Sequence, residues 1–232
     1  MRGKFVAIEG IDGAGKRTQI ELLSRALAVR GVPHGRISFP RYESRFGQLV
    51  AQFLNGDFGP LEQVDPYFSA LLYAGDRLEF KPEMEAALGS GQTILADRYI
   101  ASNLAHQSAR CPTARRAEFL DWLRQVEYEI YGLPREDLVV YLRLPAAVAH
   151  DMVARKAARE YTNMQRDIQE GSLRHLEEAA RVYDGLSQGA NWVTIECFDP
   201  AAAALRPPQV IHSDVFAAVE SRLLKQLVGG RL

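Results

Sequence analysis

The sequence predicts an α/β protein in which a five-stranded parallel sheet is covered by helices on both faces. Short apolar runs that suit buried strands alternate along the chain with longer segments of helical apolar spacing. The first apolar run ends in a glycine-rich segment, and a helical pattern follows it at once. No linker or internal repeat divides the 232 residues, so we expect a single domain over residues 1–232.

Each strand is predicted from an apolar run, and each helix from apolar residues that recur every three or four positions. The predicted strands cover residues 5–8, 36–39, 93–96, 138–144 and 192–196. Helices are predicted directly after the glycine-rich segment, from residue 82, and over 46–54, 67–80, 114–131, 145–159, 172–186 and 215–227. Residues 56–66 and 199–213 are predicted to be connections.

The glycine-rich segment reads GIDGAGK over residues 10–16 and fits the phosphate-loop pattern G-x-x-x-x-G-K. Glycines let the backbone turn tightly enough to aim its N–H groups at phosphate oxygens, and the helix N-terminus adds positive potential. The alternative is a glycine-rich turn that binds nothing, but the flanking strand and helix favour the phosphate loop. The residues assigned to phosphate binding are Gly10, Asp12, Gly13, Ala14, Gly15, Lys16, Arg17 and Thr18.

The sequence departs from the usual pattern at the residues that bind the metal ion. A Ser or Thr whose hydroxyl binds Mg²⁺ usually follows the loop lysine, but here Arg17 follows Lys16 and Thr18 comes one place late. The apolar strand 93–96 delivers Asp97 to its carboxyl end, which is where parallel sheets bind ligands. We therefore expect Mg²⁺ to be held through phosphates, water and Asp97, with Asp12 as the second candidate.

Arginines and aromatic residues at strand ends suggest further anion and base binding. Arg98 follows Asp97 directly and could hold a second phosphate through paired hydrogen bonds, although a surface ion pair is the alternative. Phe39 and Arg41 end another strand and offer a stacking face beside a cation, although Phe39 could instead be a core residue. For His106, a structural role is favoured over a catalytic one.

A basic cluster follows the fourth strand. Arg155 and Arg159 lie one turn apart on the same face of a predicted helix. Like charges at this spacing are mildly unfavourable unless an anion joins them, which indicates phosphate binding. The alternative is an ordinary solvated helix face.

Bulk composition narrows the possible partners. The chain has 28 Lys and Arg against 29 Asp and Glu, a net charge of −1, so it lacks the basic field of a nucleic-acid-binding protein. No apolar stretch reaches membrane-spanning length, and the two cysteines lack metal-ligand spacing. We expect a cytoplasmic protein that binds neither a nucleic acid polymer nor a membrane.

These segments together resemble the thymidylate kinase family of nucleoside monophosphate kinases, which have the P-loop NTPase fold. The resemblance covers most of the chain, is weaker from residue 155 to 183, and rests on the order and spacing of several motifs. The motifs are EGIDGAGK at 9–16, FPRY at 39–42, DR at 76–77, DRY at 97–99 and SNLAHQ at 102–107.

The resemblance implies transfer of phosphate from ATP to dTMP with Mg²⁺, and it implies a catalytic role for Lys16, Asp97 and Arg98. An arginine that assists transfer comes either from the phosphate loop or from a mobile lid in this family. Since this loop contains no arginine between Gly13 and Lys16, the resemblance implies a lid, about residues 155–170. Arg155 and Arg159 are then the first candidates for the assisting arginine.

The resemblance also implies how dTMP is bound. Phe39 would stack on thymine, Arg77 would hydrogen-bond the base, and Asp12 would contact the sugar 3′-hydroxyl. Arg98 would hold the acceptor phosphate. The remaining residues implied at the dTMP site are Arg41, Tyr42, Ser102, Asn103 and Gln107.

We expect a homodimeric ATP-dependent dTMP kinase. One alternative is a kinase of another nucleotide or nucleoside, and another is a catalytically inactive nucleotide-binding relative. Retention of Lys16, Asp97 and Arg98 argues against the inactive relative.

Overall fold

The central sheet contains five parallel strands, which confirms the predicted fold class. Its strands are β1 (Phe5–Glu9), β2 (His34–Ser38), β3 (Thr93–Asp97), β4 (Leu138–Arg143) and β5 (Trp192–Glu196). They lie in the order β2-β3-β1-β4-β5 in the computed structural model, which describes residues 2–154 and 173–224. Ile8 of β1 is in register with Asp97 of β3 and Val140 of β4, so the carboxyl ends of these strands meet at one edge.

The apolar content of each strand depends on its position in the sheet. The central strands β1, β3 and β4 are buried over almost their whole length, because helices cover both faces of a parallel sheet. The edge strand β2 has the sequence HGRIS and is partly exposed. Apolar content alone therefore predicts only part of β2, while backbone pairing from His34 to Ser38 with β3 sets its true extent.

Helices connect these strands within the described residues, and none of them is long and apolar enough to cross a membrane. The helices are α1 (Lys16–Val29), α2 (Arg45–Asn55), α3 (Pro66–Glu79), α4 (Lys81–Gly89), α5 (Ile100–Ser108), α6 (Arg116–Arg124), α7 (Ala146–Ala154), α8 (Leu173–Leu186) and α9 (Pro208–Val219). A 3₁₀ turn (Thr113–Arg115) precedes α6, and π-helical turns (Gln125–Ile130 and Glu220–Leu224) continue α6 and α9.

The two faces of the sheet carry separate cores. Val6 and Ile8 of β1 belong to one buried cluster and Phe5 and Ala7 to the other, as the two-residue period of a strand requires. α5 joins both clusters, since Ala101 and Ala105 pack in the first while Ile100 and Leu104 pack in the second. This helix is thus held rigidly against the end of β3.

Besides β2, three parts of the structure differ from the prediction. α5 has no counterpart among the predicted helices, although its apolar residues recur at helical spacing, and its polar face is buried against a pocket instead of facing solvent. Residues 199–213 are not a plain connection, since they contain the antiparallel pair β6 (Phe198–Asp199) and β7 (Ala204–Leu205) and the start of α9. Pro208 opens α9 because proline suits the first helical turn, so the helix predicted from residue 215 begins earlier.

The other helices agree with the prediction to within a few residues at their ends. The helix predicted over 145–159 is observed as α7 up to Ala154, and the predicted lid, 155–170, lies outside the described residues. The expected single domain with a lid stays a prediction.

Candidate active site

The phosphate loop connects β1 to α1, and its glycines have backbone angles that other residues rarely adopt. Gly10 has φ 145° and Gly13 has φ 86°. A Cβ at Gly10 would lie 2.6 Å from the carbonyl oxygen of Leu142, and one at Gly13 would lie 2.8 Å from that of Ala149. The loop therefore needs glycine both for its dihedral angles and for its packing against neighbouring backbone.

Lys16, the first residue of α1, folds back over this loop. Its Nζ donates hydrogen bonds to the carbonyl oxygens of Gly10, at 2.9 Å, and Ile11, at 3.0 Å. Burial, reinforced by the charge of Arg98, lowers the pKa of Lys16 to about 8. The ammonium is therefore still charged at neutral pH, and it lies where a phosphate held by the loop would meet it.

The two residues after Lys16 are both exposed. Arg17 leaves the loop, and its Nε lies 3.2 Å from Oε1 of Glu21 one helical turn away. Thr18 is exposed as well. The assignment of both residues to ATP binding stays a prediction.

The turn after β3 holds Arg98 in the left-handed region of the backbone, at φ 66°. Such a conformation costs a non-glycine residue about 1–3 kcal/mol and persists only where the surroundings impose it. Here the fully buried carboxylate of Glu9 imposes it. Oε1 of Glu9 accepts hydrogen bonds from the backbone N–H groups of Tyr99, at 2.7 Å, and Ser102, at 3.3 Å.

Arg98 connects the phosphate loop to a pocket beside it. Its Nη2 donates to Oδ1 of Asp12, and its Nη1 lies 3.3 Å from both Oγ of Ser102 and Nε2 of His106. Burial by itself lowers the pKa of Arg98, but Asp12, Tyr183 and Asp97 more than offset this and hold the pKa well above its usual value. Arg98 is therefore a permanent cation between the loop and the pocket.

His106 is a neutral partner of Arg98. Because the guanidinium can only donate, Nε2 of His106 accepts, so its Nδ1 carries the proton and faces Nε2 of His175 at 3.3 Å. Burial, with Arg98 nearby, holds the pKa of His106 well below its usual value, and burial lowers the pKa of His175 to about 4. His106 also lines the pocket, and its structural role stays a prediction.

Aromatic rings form one wall of the pocket. Phe39 is 2% exposed, and its ring contacts those of Phe80 and Tyr99, with centroids 6.3 Å and 5.9 Å away. Phe39 still lines the pocket, so it is both a core residue and a possible stacking face. Arg41 does not line it: its guanidinium lies 3.9 Å from the centre of the Phe80 ring, and its Nε lies 3.3 Å from Glu43.

A second buried ion pair includes one residue of the pocket lining, Arg77. Nε and Nη2 of Arg77 each donate to one carboxylate oxygen of Glu127 at 2.6 Å. Oε1 of Glu127 also accepts from Nδ2 of Asn103 at 2.8 Å, while the same nitrogen donates to the carbonyl of Ala70 at 3.0 Å. Burial alone lowers the pKa of Arg77, but Glu127 offsets this and the pKa lies above its usual value.

The predicted residues therefore separate into four groups. Arg41, Arg17 and Thr18 lie away from the pocket, and Arg155 and Arg159 lie outside the described residues. Gly10, Gly13, Ala14, Gly15 and Lys16 form the loop at one end, next to Asp97. The predicted residues that line the pocket are Asp12, Phe39, Tyr42, Arg77, Arg98, Ser102, Asn103 and Gln107.

Comparison with known proteins identifies the family of this chain. The sequence profile described as thymidylate kinase matches residues 8–203. The chain belongs to the thymidylate kinase family. The thymidylate kinase of Mycobacterium tuberculosis (strain H37Rv) is 32% identical over 213 residues, which cover 89% of this chain and 99% of that protein. The thymidylate kinase of Homo sapiens is 27% identical over 227 residues, 97% of each chain.

A solved structure has the same fold. The thymidylate kinase of Candida albicans matches with a TM-score of 0.74 and 20% identity, over 95% of this chain and 92% of that one. The resemblance read from the motifs is thus confirmed at the level of the family and the fold.

Two acidic residues of this family member were missed by sequence reasoning. Glu9 ends an apolar strand, and Glu127 lies four residues after Leu123 and one after Val126, both on the apolar face of α6 and its π-helical turn. Both carboxylates are fully buried. A charged residue in a buried run needs a compensating partner, and this signal could have identified both of them.

Proposed function

We propose that this protein is an ATP-dependent kinase that transfers the γ-phosphate of ATP to dTMP, giving dTDP for dTTP synthesis. The main support for this proposal is the position of Arg98, which contacts Asp12 of the phosphate loop and also lines the adjoining pocket. A cation shared by both sites can hold the acceptor phosphate next to the phosphate that is transferred.

In the proposed acceptor site, different residues bind the base and the phosphate. Phe39 offers a ring for stacking on thymine, and Arg77 offers an N–H donor for the carbonyl edge of the base. Asn103 and Gln107 also line the pocket, and Arg98 and Ser102, which a hydrogen bond joins, are proposed to face the acceptor phosphate. Tyr42 lines the pocket, and Asp12 is proposed to contact the 3′-hydroxyl of the sugar.

The residues act by alignment and by positive charge. Phosphoryl transfer needs the acceptor oxygen in line and a counter-charge for the transferred group, and the acceptor phosphate is already anionic. Lys16 supplies charge on the ATP side and Arg98 on the dTMP side. Arg155 and Arg159 of the lid are proposed to supply a further charge, and Arg41 a contact near the acceptor phosphate.

The chain fits Mg²⁺ with few protein ligands. Within the described part of the chain, no three His, Cys, Asp or Glu side chains cluster as a metal site. Mg²⁺ keeps several waters and binds substrate phosphates with one or two carboxylates, so Asp97, partly exposed beside Lys16, is sufficient. When bound, the ion neutralises charge that develops on the phosphates. Asp12, which already pairs with Arg98, is the second proposed ligand.

The proposal includes a homodimer in the cytoplasm. Apolar side chains exposed along α3 support the dimer: Phe68 is 45%, Leu71 37% and Leu78 38% exposed. Their spacing places them on one side of the helix. Sedimentation equilibrium of the purified protein would measure the oligomeric state.

A coupled assay of ADP release across all common nucleoside monophosphates tests the activity. We expect dTMP to give the highest kcat/KM. Turnover of another monophosphate in preference to dTMP would favour a different acceptor, and absence of turnover with every acceptor would favour an inactive nucleotide-binding protein.

A further inference from the structure

Glu127 is a buried acid that contacts no part of the phosphate loop, yet it contacts two residues that line the nucleotide pocket. Its side chain is fully buried on the π-helical turn that follows α6. Both carboxylate oxygens bind Arg77, and one of them also binds Asn103. The carboxylate therefore connects Arg77 to Asn103, both of which line the pocket.

This contact and a backbone carbonyl together set the orientation of the Asn103 amide. The two groups nearest its Nδ2, the carboxylate of Glu127 and the carbonyl of Ala70, can only accept hydrogen bonds, so nitrogen must face them. The carbonyl oxygen, Oδ1, is consequently turned the other way. It is buried and has no hydrogen-bond partner among the described residues. A buried acceptor without a partner favours a ligand that brings a donor.

The same carboxylate sets the orientation of Arg77. Bonding through Nε and Nη2 fixes the plane of the guanidinium and leaves Nη1 for the pocket that Arg77 lines. Two residues that line the pocket thus have one spare donor, on Arg77, and one spare acceptor, on Asn103. Thymine offers the complementary pair, the O4 acceptor and the N3–H donor, whereas cytosine offers the reverse.

We propose that Glu127 is a positioning residue that fixes the orientation of Arg77 and thereby the preference for thymine over cytosine. The inference rests on the proposed dTMP kinase activity and adds to it the residue that controls base choice. Glu127 acts without touching the nucleotide, through Arg77.

A neutral amide cannot take the place of this carboxylate. In Glu127→Gln the side-chain nitrogen faces an N–H group of Arg77 in either orientation, because Arg77 donates to both carboxylate oxygens. Arg77 therefore loses its bidentate hold and the plane of its guanidinium is no longer fixed. Asn103 keeps its orientation through the carbonyl of Ala70, so the variant weakens thymine binding through Arg77.

The test measures kcat/KM for dTMP and for dCMP in wild type and in Glu127→Gln. The ratio of the two values does not depend on the fraction of active enzyme, so loss of stability alone leaves it unchanged. We expect the preference for dTMP to fall by about 10- to 100-fold, the scale of one lost hydrogen bond to a charged group. We also expect KM for dTMP to rise while KM for ATP is unchanged.

Glu136→Gln is the matched control. Glu136 is another buried acid in the segment between α6 and β4, and it binds Tyr128 at 2.7 Å and does not line the pocket. Its replacement should leave the dTMP to dCMP ratio at the wild-type value. An equal change of the ratio in this control would overturn the inference.

Glu127→Asp covers the case in which the glutamine variant does not fold. It keeps both acceptor oxygens but withdraws them by one methylene, so we expect KM for dTMP to rise several-fold with the preference for dTMP retained. An unchanged ratio in Glu127→Gln, or an unchanged KM in Glu127→Asp, would overturn the inference. Failure of the wild type to phosphorylate dTMP would instead overturn the proposed function, and the inference with it.

Discussion

Arg98 and Asp12 form an ion pair at the boundary between the phosphate loop and the nucleotide pocket. The two residues are 86 positions apart, and the pair is largely buried. The guanidinium can donate several hydrogen bonds in one plane, so an acceptor phosphate can share it with Asp12. This pair links the two substrate sites that a phosphotransferase must hold together.

We predict that Lys16→Ala and Arg98→Ala each reduce kcat/KM for dTMP by at least about 10²-fold, because each removes a charge from the transferred or acceptor phosphate. The folded structure should persist, as judged by far-UV circular dichroism. Arg143→Ala is the matched control: Arg143 is exposed at the end of β4, where it pairs with Asp184 and Glu196. Near-normal turnover in either active-site variant would contradict the proposed function.

Lys16 should also make stability depend on pH. Its pKa is lowered by burial from 10.5 to about 8 in the folded protein, so the unfolded chain binds more protons between these two values. The cost of burying the charge is full below pH 8 and is relieved as pH rises to about 10.5. Its scale is on the order of 3 kcal/mol.

The difference in unfolding free energy between wild type and Lys16→Met should therefore change in favour of wild type from pH 8 to 10.5. Urea denaturation at several pH values measures this difference, in which the titration of all other groups cancels. A difference that is constant with pH would show that Lys16 titrates near its ordinary pKa.

Glu136 should make the folded protein less stable as pH rises, the opposite of the effect of Lys16. Burial raises the pKa of Glu136 to about 7, so the folded protein retains a proton that the unfolded chain releases. The stability that this group contributes is present below about pH 4.5 and is lost as pH rises through 7. We predict that Glu136→Gln unfolds at a higher temperature than wild type at pH 8, with a smaller difference at pH 5. An equal difference in unfolding temperature between variant and wild type at pH 8 and at pH 5 would contradict the prediction.

Base specificity should follow the order dTMP, then dUMP, then dCMP. Uracil lacks only a methyl group, and a hydrophobic pocket gains about 1–3 kcal/mol from such a group, so dUMP should be a poor but measurable substrate. Cytosine presents a donor to Arg77, which has no acceptor, and the mismatch should cost about 10⁴-fold or more. Values of kcat/KM for the three substrates in wild type and Arg77→Ala measure this order. Equal use of dCMP and dUMP by wild type would rule out the base-reading role of Arg77.

Arg155 and Arg159 lie outside the described residues, and their role is predicted from sequence alone. An arginine that stabilises the transition state of phosphoryl transfer contributes about 10³–10⁵ in rate. Replacing the responsible residue by Ala should therefore lower kcat far more than it raises KM for dTMP. If both single variants keep kcat within a few-fold of wild type, the assisting charge comes from another residue.

The sheet and the phosphate loop could be predicted because their signals are local. Apolar runs such as 5–8 and 93–96 become central strands wherever helices cover both faces, and the glycine pattern at 10–16 needs only its flanking strand and helix. The edge strand β2 and the buried helix α5 were predicted in part or not at all. The extent of β2 depends on its pairing with β3, and α5 is a short helix whose polar face is buried instead of solvated.

By itself, the sequence determined the fold class, the phosphate loop and the family, because motif order and spacing carry all three. Tertiary structure decided which charges meet. Arg77 and Glu127 are 50 positions apart, and only the packing of α3 against the segment after α6 makes them a buried pair. The same holds for Glu9, which reaches the turn of Arg98 from a neighbouring strand. A buried charge requires a partner, but which distant residue supplies it is set by the fold.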